Sequence, residues 1–175
     1  MTHQQHCLAF FESRSSLVLS TFDSKGILET SVAPFVSDDQ GHLYLFISEL
    51  AQHTQNILHW ISAKQASIES DLCIPPGLVS CLLVADETQT EQLFARERLT
   101  MQLAFAEINR ASADFELILT RFESQFGEIV PLLKSLPDFH LIQLIPVSGG
   151  YVKGFGQAFS FEGCACQSLQ AIKQK

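Results

Sequence analysis

Near its C-terminal end the chain reads Lys153-Gly154-Phe155-Gly156-Gln157-Ala158 within a strand-like run, residues 151–161. Glycine inside a strand marks a bulge, or a place where another body approaches the backbone closely. That body is either a packed protein element or a flat cofactor, and the spacing alone leaves both open. Just beyond it, Cys164-Ala165-Cys166 offers either a thiolate pair for a soft metal or two ordinary thiols. His53 sits beside an apolar helical stripe, as a ligand or as a half-buried structural residue. Arg96 and Arg98 alternate onto one face of a strand-like stretch, where pairing with Glu91 or Glu97 would make them solvated surface charges. Asp138, after Pro137, reads as a turn residue ahead of a strand. His3 and His6 have the i, i+3 spacing of a helical metal pair, but in a terminus expected to be mobile. His42 opens a strand after a turn and is expected to be exposed, while His59 and His140 have no partner visible in sequence.

The elements that position these residues must fit one domain, because 175 residues are enough for a single full core. Apolar residues make up 46% and charged ones only 17%, with 14 phenylalanines. So little charge leaves apolar surface for a second subunit to cover, and a homodimer is expected. A net charge of -8 and a pI near 5.1 argue against nucleic acid or an anionic membrane as partner. No apolar run is long enough to span a bilayer, and residues 1–14 lack the charge-then-apolar order of a secretory signal. Cys7, Cys73, Cys81, Cys164 and Cys166 form an odd set without framework spacing, so reduced thiols and a cytoplasmic protein are expected.

Residues 16–21, 27–35 and 42–47 read as three strands joined by Asp23-Ser24-Lys25-Gly26 and Asp38-Asp39-Gln40-Gly41 turns. A helix is expected from Ser48 as N-cap, with Leu50, Thr54, Ile57, Leu58 and Ile61 on its apolar face and Gln52, Gln55 and Asn56 off it. Ile74-Pro75-Pro76-Gly77 reads as a loop and residues 78–85 as a buried strand. Alternation in residues 91–102 favours a strand, with a helix as the other reading. Residues 112–126 form an amphipathic helix ended by Gly127, and residues 128–136 a shorter helical piece. Two closing strands, 140–145 and 151–161, are expected to flank a Gly149-Gly150 turn. Strands first, helices inserted and strands last give a mainly β, α+β antiparallel barrel with helices packed on it.

Taken in order, SLVLSTFDSKGILETSVAPFVSDDQGHLYLFIS, SELAQHTQN, LFARERLT, RFESQFGEI, LPDFHL and GGYVKGFGQAFSFEG resemble the HutZ/HugZ-type heme-utilization proteins. That family falls in the pyridoxamine-phosphate-oxidase-like split-barrel superfamily. The resemblance runs from about Phe11 to Gly163, and VKGFGQAF is its most specific part. It implies a six-stranded split barrel that dimerises, with heme near the dimer interface and oxygen-dependent heme breakdown or heme handling in the cytoplasm. It divides the chain into a barrel domain, residues 1–163, and a tail, residues 164–175. In the family a tail histidine ligates iron, supported by an acidic residue that corresponds here to Asp138. Arg98 corresponds to the basic residue that meets the propionates, with Arg96, His53, Lys153, Gly154, Phe155 and Gly156 around the pocket. The tail here, CACQSLQAIKQK, has no histidine, which leaves His53, Cys164 and Cys166 as candidate iron ligands. Residues 63–77 also look longer than the family's connection.

Flavin-binding members of the superfamily hold the FMN phosphate with basic residues on the strand matching SVAPFVSDD. Lys25 precedes that strand, and no Arg or Lys lies between Gly26 and Gly41, so FMN ranks below heme. Two functional classes follow from the resemblance: an oxygen-dependent heme-degrading enzyme, or a binder that stores heme or exchanges it with delivery proteins. An FMN-dependent oxidoreductase is the further alternative.

Overall fold

The computed structural model describes residues 1–65 and 74–172. Among these are helices α1 (His3–Glu12), α2 (Gln52–Gln65), α3 (Ala113–Phe126) and α4 (Ile129–Ser135). The strands are β1 (Ser16–Phe22), β2 (Leu28–Pro34), β3 (Val36–Ser37), β4 (Leu43–Ser48), β5 (Ile74–Val84), β6 (Arg98–Ile108), β7 (Phe139–Gly154), β8 (Gln157–Glu162) and β9 (Gln170–Ala171). All belong to one antiparallel sheet ordered β2-β1-β5-β6-β7-β4-β3, with β8 and then β9 added beside β7. The described sheet therefore has nine strands rather than the six expected, two of them only two residues long.

β7 organises the molecule. One edge pairs with β6 along residues 141–152. The other edge is shared, by β4 over residues 139–144 and by β8 over residues 148–154. The expected Gly149-Gly150 turn is thus strand interior. A Cβ at Gly149 would collide with the Thr100 carbonyl oxygen and the Phe161 ring, so the body that requires glycine there is the neighbouring strand pair, not a ligand. The reversal comes later, at Phe155-Gly156, with Gly154 opposite Gln157 and Gly156 at φ +66°, a conformation that glycine adopts without strain.

Two cores lie on either side of β4. Leu43, Leu45 and Ile47 enter the larger core with Leu19, Leu83, Leu99, Phe105 and Tyr151. Tyr44 and Phe46 face the other way, onto Phe115, Ile118, Leu119 and Phe122 of α3. Burial on both faces explains why β4 reads as one unbroken apolar run. Each of these large side chains contributes roughly 1.5–3 kcal/mol of transfer free energy. Ser112, expected as the first helical residue, is instead the N-cap of α3, its Oγ accepting from Phe115 N at 3.2 Å.

Several expectations are corrected. α2 begins at Gln52, because Ser48 ends β4; Leu50 is 90% exposed, while Asn56 is buried and donates to Thr21 Oγ1 at 3.0 Å. Pro75 and Pro76 lie within β5, where the register against β6 shifts between Ile74 and Val79; the irregularity takes prolines that cannot donate out of the ladder. Residues 93–95 form a 3-10 turn, and β6 starts only at Arg98. The longer connection noted at 63–77 falls mostly outside the described residues.

The N-terminus is docked rather than loose. Thr2 caps α1 in a capping box, and His3 lies with its ring 4.6 Å from that of Phe159. Cys7 of α1 forms a disulfide with Cys166, Cα–Cα 5.4 Å, where reduced thiols were expected. Cross-linking residues 159 apart in sequence removes about 5 kcal/mol of unfolded-chain entropy in the loop-closure account. The segment after Gly163 stays on the sheet: Ala165 and Cys166 enter the core, and β9 pairs with β8.

The two strand glycines make a direct test. Gly149→Ala should cost about 1–3 kcal/mol in thermal or urea unfolding, because neither the Thr100 backbone nor the packed Phe161 ring can yield cheaply. Gly154→Ala, with nothing within 4 Å of the new methyl, should stay within about 0.5 kcal/mol of the parent. Equal costs at the two positions would contradict the close approach at Gly149.

Candidate functional site

Basic and aromatic residues collect at the C-terminal end of β7. Arg98 opens β6 opposite Val152, the neighbour of Lys153. Its NH1 donates to Arg96 O at 3.0 Å. Among the described residues neither Arg98 nor Lys153 forms an ion pair, although the chain carries a net charge of -8. The 93–95 turn approaches this end of β7 and leaves Phe94 88% exposed, while Phe155 at the hairpin tip is 68% exposed. Cations without ion pairs at a strand end that also exposes aromatic rings suit a flat ligand with carboxylates at its edge.

Arg96 is committed elsewhere. Its Nε donates to Ala85 O at 2.6 Å and its NH1 to Glu87 Oε1 at 3.0 Å, so it ties β5 to the following turn. The expected partners Glu91 and Glu97 are not used. Glu97 instead accepts from Tyr151 OH and lies 3.2 Å from His6 Nε2. Burial and this carboxylate together push the Tyr151 phenol pKa far up.

Asp138 precedes the other end of β7. Its carboxylate accepts from Ser48 Oγ at 2.5 Å and its carbonyl from Glu49 N at 2.9 Å, fixing the turn from β4 into α2. Within one chain it therefore holds a hydroxyl and a backbone amide. Nearby, His140 is clamped between Glu107 Oε1 at Nδ1 and Glu49 Oε1 at Nε2, both 2.6 Å. Burial alone would lower the His140 pKa, but the two carboxylates outweigh it and raise the pKa above the ordinary value. Sequence reading missed this cluster because its carboxylates stand 33 and 91 residues away.

His53 faces β2 from α2, 9% exposed, with Nδ1 2.9 Å from Ser31 Oγ. Burial holds its pKa below the ordinary value, against the opposing charge of Glu29. The ring is neutral at pH 7. In the tautomer whose Nδ1–H is donated to Ser31, the Nε2 lone pair is available, the state in which imidazole binds a metal.

His42, expected to be exposed, has a side chain only 18% exposed and places Nδ1 3.0 Å from Asp38 Oδ2. The same oxygen accepts from Tyr44 OH at 2.9 Å, and burial with Asp38 pushes the Tyr44 phenol up to about 12. Of the tail thiols, Cys166 is in the disulfide and withdrawn from ligation, whereas Cys164 is free and half-buried. Among the described residues no three His, Cys, Asp or Glu side chains form a ready metal site. Arg98 and Asp138 sit at opposite ends of β7, so one chain does not bring them together.

No protein-family profile matches the chain. It is 36% identical over 154 residues to heme oxygenase HutZ of Vibrio cholerae, covering 88% of this chain and 78% of that one. The crystal structure of HutZ, described as the heme storage protein of Vibrio cholerae, superposes with a TM-score of 0.68 at 32% identity, over 83% of this chain and 91% of that one. Campylobacter jejuni ChuZ gives a TM-score of 0.78 at 28% identity over 97% of this chain, which spans only 61% of ChuZ. A Clostridium acetobutylicum protein of the pyridoxinephosphate oxidase family shares the fold at 11% identity and TM-score 0.60, covering 91% of this chain and 93% of that one.

The His140 clamp has a signed pH dependence. A raised folded pKa gives stability that is fully present below the free-histidine pKa of about 6.5 and is lost as pH rises through the folded value. NMR titration of the His140 ring should show the raised pKa, and Glu107→Gln with Glu49→Gln should bring it to or below the free value. A ring that titrates identically in parent and double variant would contradict the clamp.

Proposed function

This chain belongs to the HutZ family of heme-utilization proteins, and on that premise we propose that it binds heme as a homodimer. The observation that carries the reading is that Arg98, opposite Val152, and Lys153, neither in an ion pair among the described residues, lie at the end of β7 whose hairpin tip carries the exposed Phe155. Such an edge receives propionates and the porphyrin face, and a guanidinium fork is matched to a carboxylate. Heme supplies a redox-active iron and, in an oxygenase reaction, is itself the substrate.

The residues present fit that ligand in three ways. Arg98 and Lys153 neutralise two carboxylates. Phe94 and Phe155 lose water against the ring. His53 offers a neutral imidazole whose Nδ1 is already held by Ser31, and it is the ligand we assign to iron. Because Arg98 and Asp138 lie at opposite ends of β7, a site using both draws one from each of two subunits. Split-barrel closure of the nine-stranded sheet and assembly as a dimer belong to this reading, as does placement in the cytoplasm. Among the described residues no helix is long and apolar enough to cross a membrane.

Storage is the first of the two readings to test, because the similar crystal structure is described as that of a heme storage protein. The protein's part is then to bind heme, exclude water from its faces and fix the axial nitrogen. Titration of purified protein with hemin should give a stable Soret band that survives addition of a reductant in air. Bleaching with iron release would instead make the chain an oxygenase. Arg98→Ala should weaken hemin binding by about 10-fold or more, the scale of one charge-assisted pair. His53→Ala should change the ferric and ferrous bands. Unchanged affinity and unchanged spectra would together remove this site. The protein should also purify without stoichiometric FMN and sediment as two 19.5 kDa chains at micromolar concentration.

A further inference from the structure

We propose that the Cys7–Cys166 bond is a reversible latch on the C-terminal segment, opened and closed by thiol exchange relayed through Cys164. The inference does not depend on heme binding.

Three cysteines meet at one place, from opposite ends of the chain. Cys7 is 0% and Cys166 2% exposed, so a dissolved thiol cannot reach either sulfur directly. Cys164 is free and half-buried, and it opens the tight turn whose third residue is Cys166, closed by Gln167 N donating to Cys164 O at 3.3 Å. Residues two apart in such a turn are near enough for their sulfurs to exchange. The half-buried free thiol is thus two residues from the buried bond, within the same turn.

The segment is also held in an unfavourable backbone state. Cys166 has φ +63° and Ser168 φ +52°, in the left-handed region that non-glycine residues seldom occupy. Outside the disulfide and the packing of Ala165 and Leu169 on the core, its backbone is held by Gly163 N to Val147 O at 2.6 Å, the two-residue β9, and Ile172 N to Ala158 O at 2.9 Å. A cavity of about 550 Å3, lined by Leu8, Phe11, Arg121, Ala165 and Gln167, opens beside Cys166 and gives the released turn room to move.

The chemistry balances without a metal. In opening, the Cys164 thiolate attacks Cys7 Sγ; a Cys7–Cys164 bond forms, the Cys7–Cys166 bond breaks, and Cys166 leaves as thiolate and takes a proton. A dithiol reductant then attacks Cys164 Sγ, now in a bond at the surface, and is itself oxidised to a disulfide. Two electrons and two protons pass from the dithiol to Cys7 and Cys164. Closing runs the same steps in reverse from a low-molecular-weight disulfide.

The test uses the full chain under native conditions, with dithiothreitol for opening and oxidised glutathione for closing. Peptide mapping after alkylation identifies which sulfur carries each bond, including Cys73, which lies outside the described residues. Opening of Cys7–Cys166 should be at least about tenfold slower in Cys164→Ser, with the same end state, because attack must then wait for local unfolding. During closing, glutathione should appear first on Cys164. Amide exchange across residues 163–172 should rise on reduction and in Cys166→Ser, while β6 and β7 stay protected. Three results would overturn the proposal: equal opening rates in parent and Cys164→Ser, tail exchange unchanged by reduction, or no Cys7–Cys166 peptide after closing conditions.

Discussion

The fold depends on how β7 divides its hydrogen bonds. A single 16-residue strand satisfies β6 along one edge and gives the other to two different partners, β4 and β8. Each partner then carries its own layer outward: β4 supports α3 and α4, and β8 supports the C-terminal segment. The division needs β7 to remain a strand through Gly149 and Gly150. Only a residue without a side chain lets the Phe161 ring and the Thr100 carbonyl close over position 149. The same strand separates the two groups of site residues, with Asp138 and His140 at its start and Val152, Lys153 and the Phe155 tip at its end.

That separation makes a shared site reasonable for this chain. Arg98 and Lys153 have no acidic partner among the described residues, in a protein with a strong acidic excess. The exposed Phe94 and Phe155 rings at the same end of the sheet are apolar surface that a ligand or a second subunit would cover. Arg96, two residues earlier, shows the contrast: it is occupied by Ala85 and Glu87 and has only a structural task.

Local chemistry was legible in the sequence, and distant pairing was not. The Asp23 and Asp38 turns appear as read, each with the aspartate accepting backbone amides, and the helix read over residues 112–126 is present, capped by Ser112 rather than starting on it. The failures share a cause. Pro75-Pro76 reads as a loop until β6 is seen beside it, and Gly149-Gly150 reads as a turn until Thr100 and Phe161 are in place. His140 shows no partner locally because its carboxylates are distant, and Cys7 finds Cys166 across almost the whole chain. Periodicity reports which face of an element is apolar, not which element will cover it.

The central claim is that heme sits where the end of β7 in one subunit meets the start of β7 in the other. A crystal structure of the hemin complex, with the iron located by its anomalous scattering, tests this most directly. The account expects one iron peak per site at a subunit seam, with propionates on Arg98 of one chain and Asp138 of the second chain on the iron side. An iron peak enclosed by a single chain, or one remote from Arg98, would contradict it.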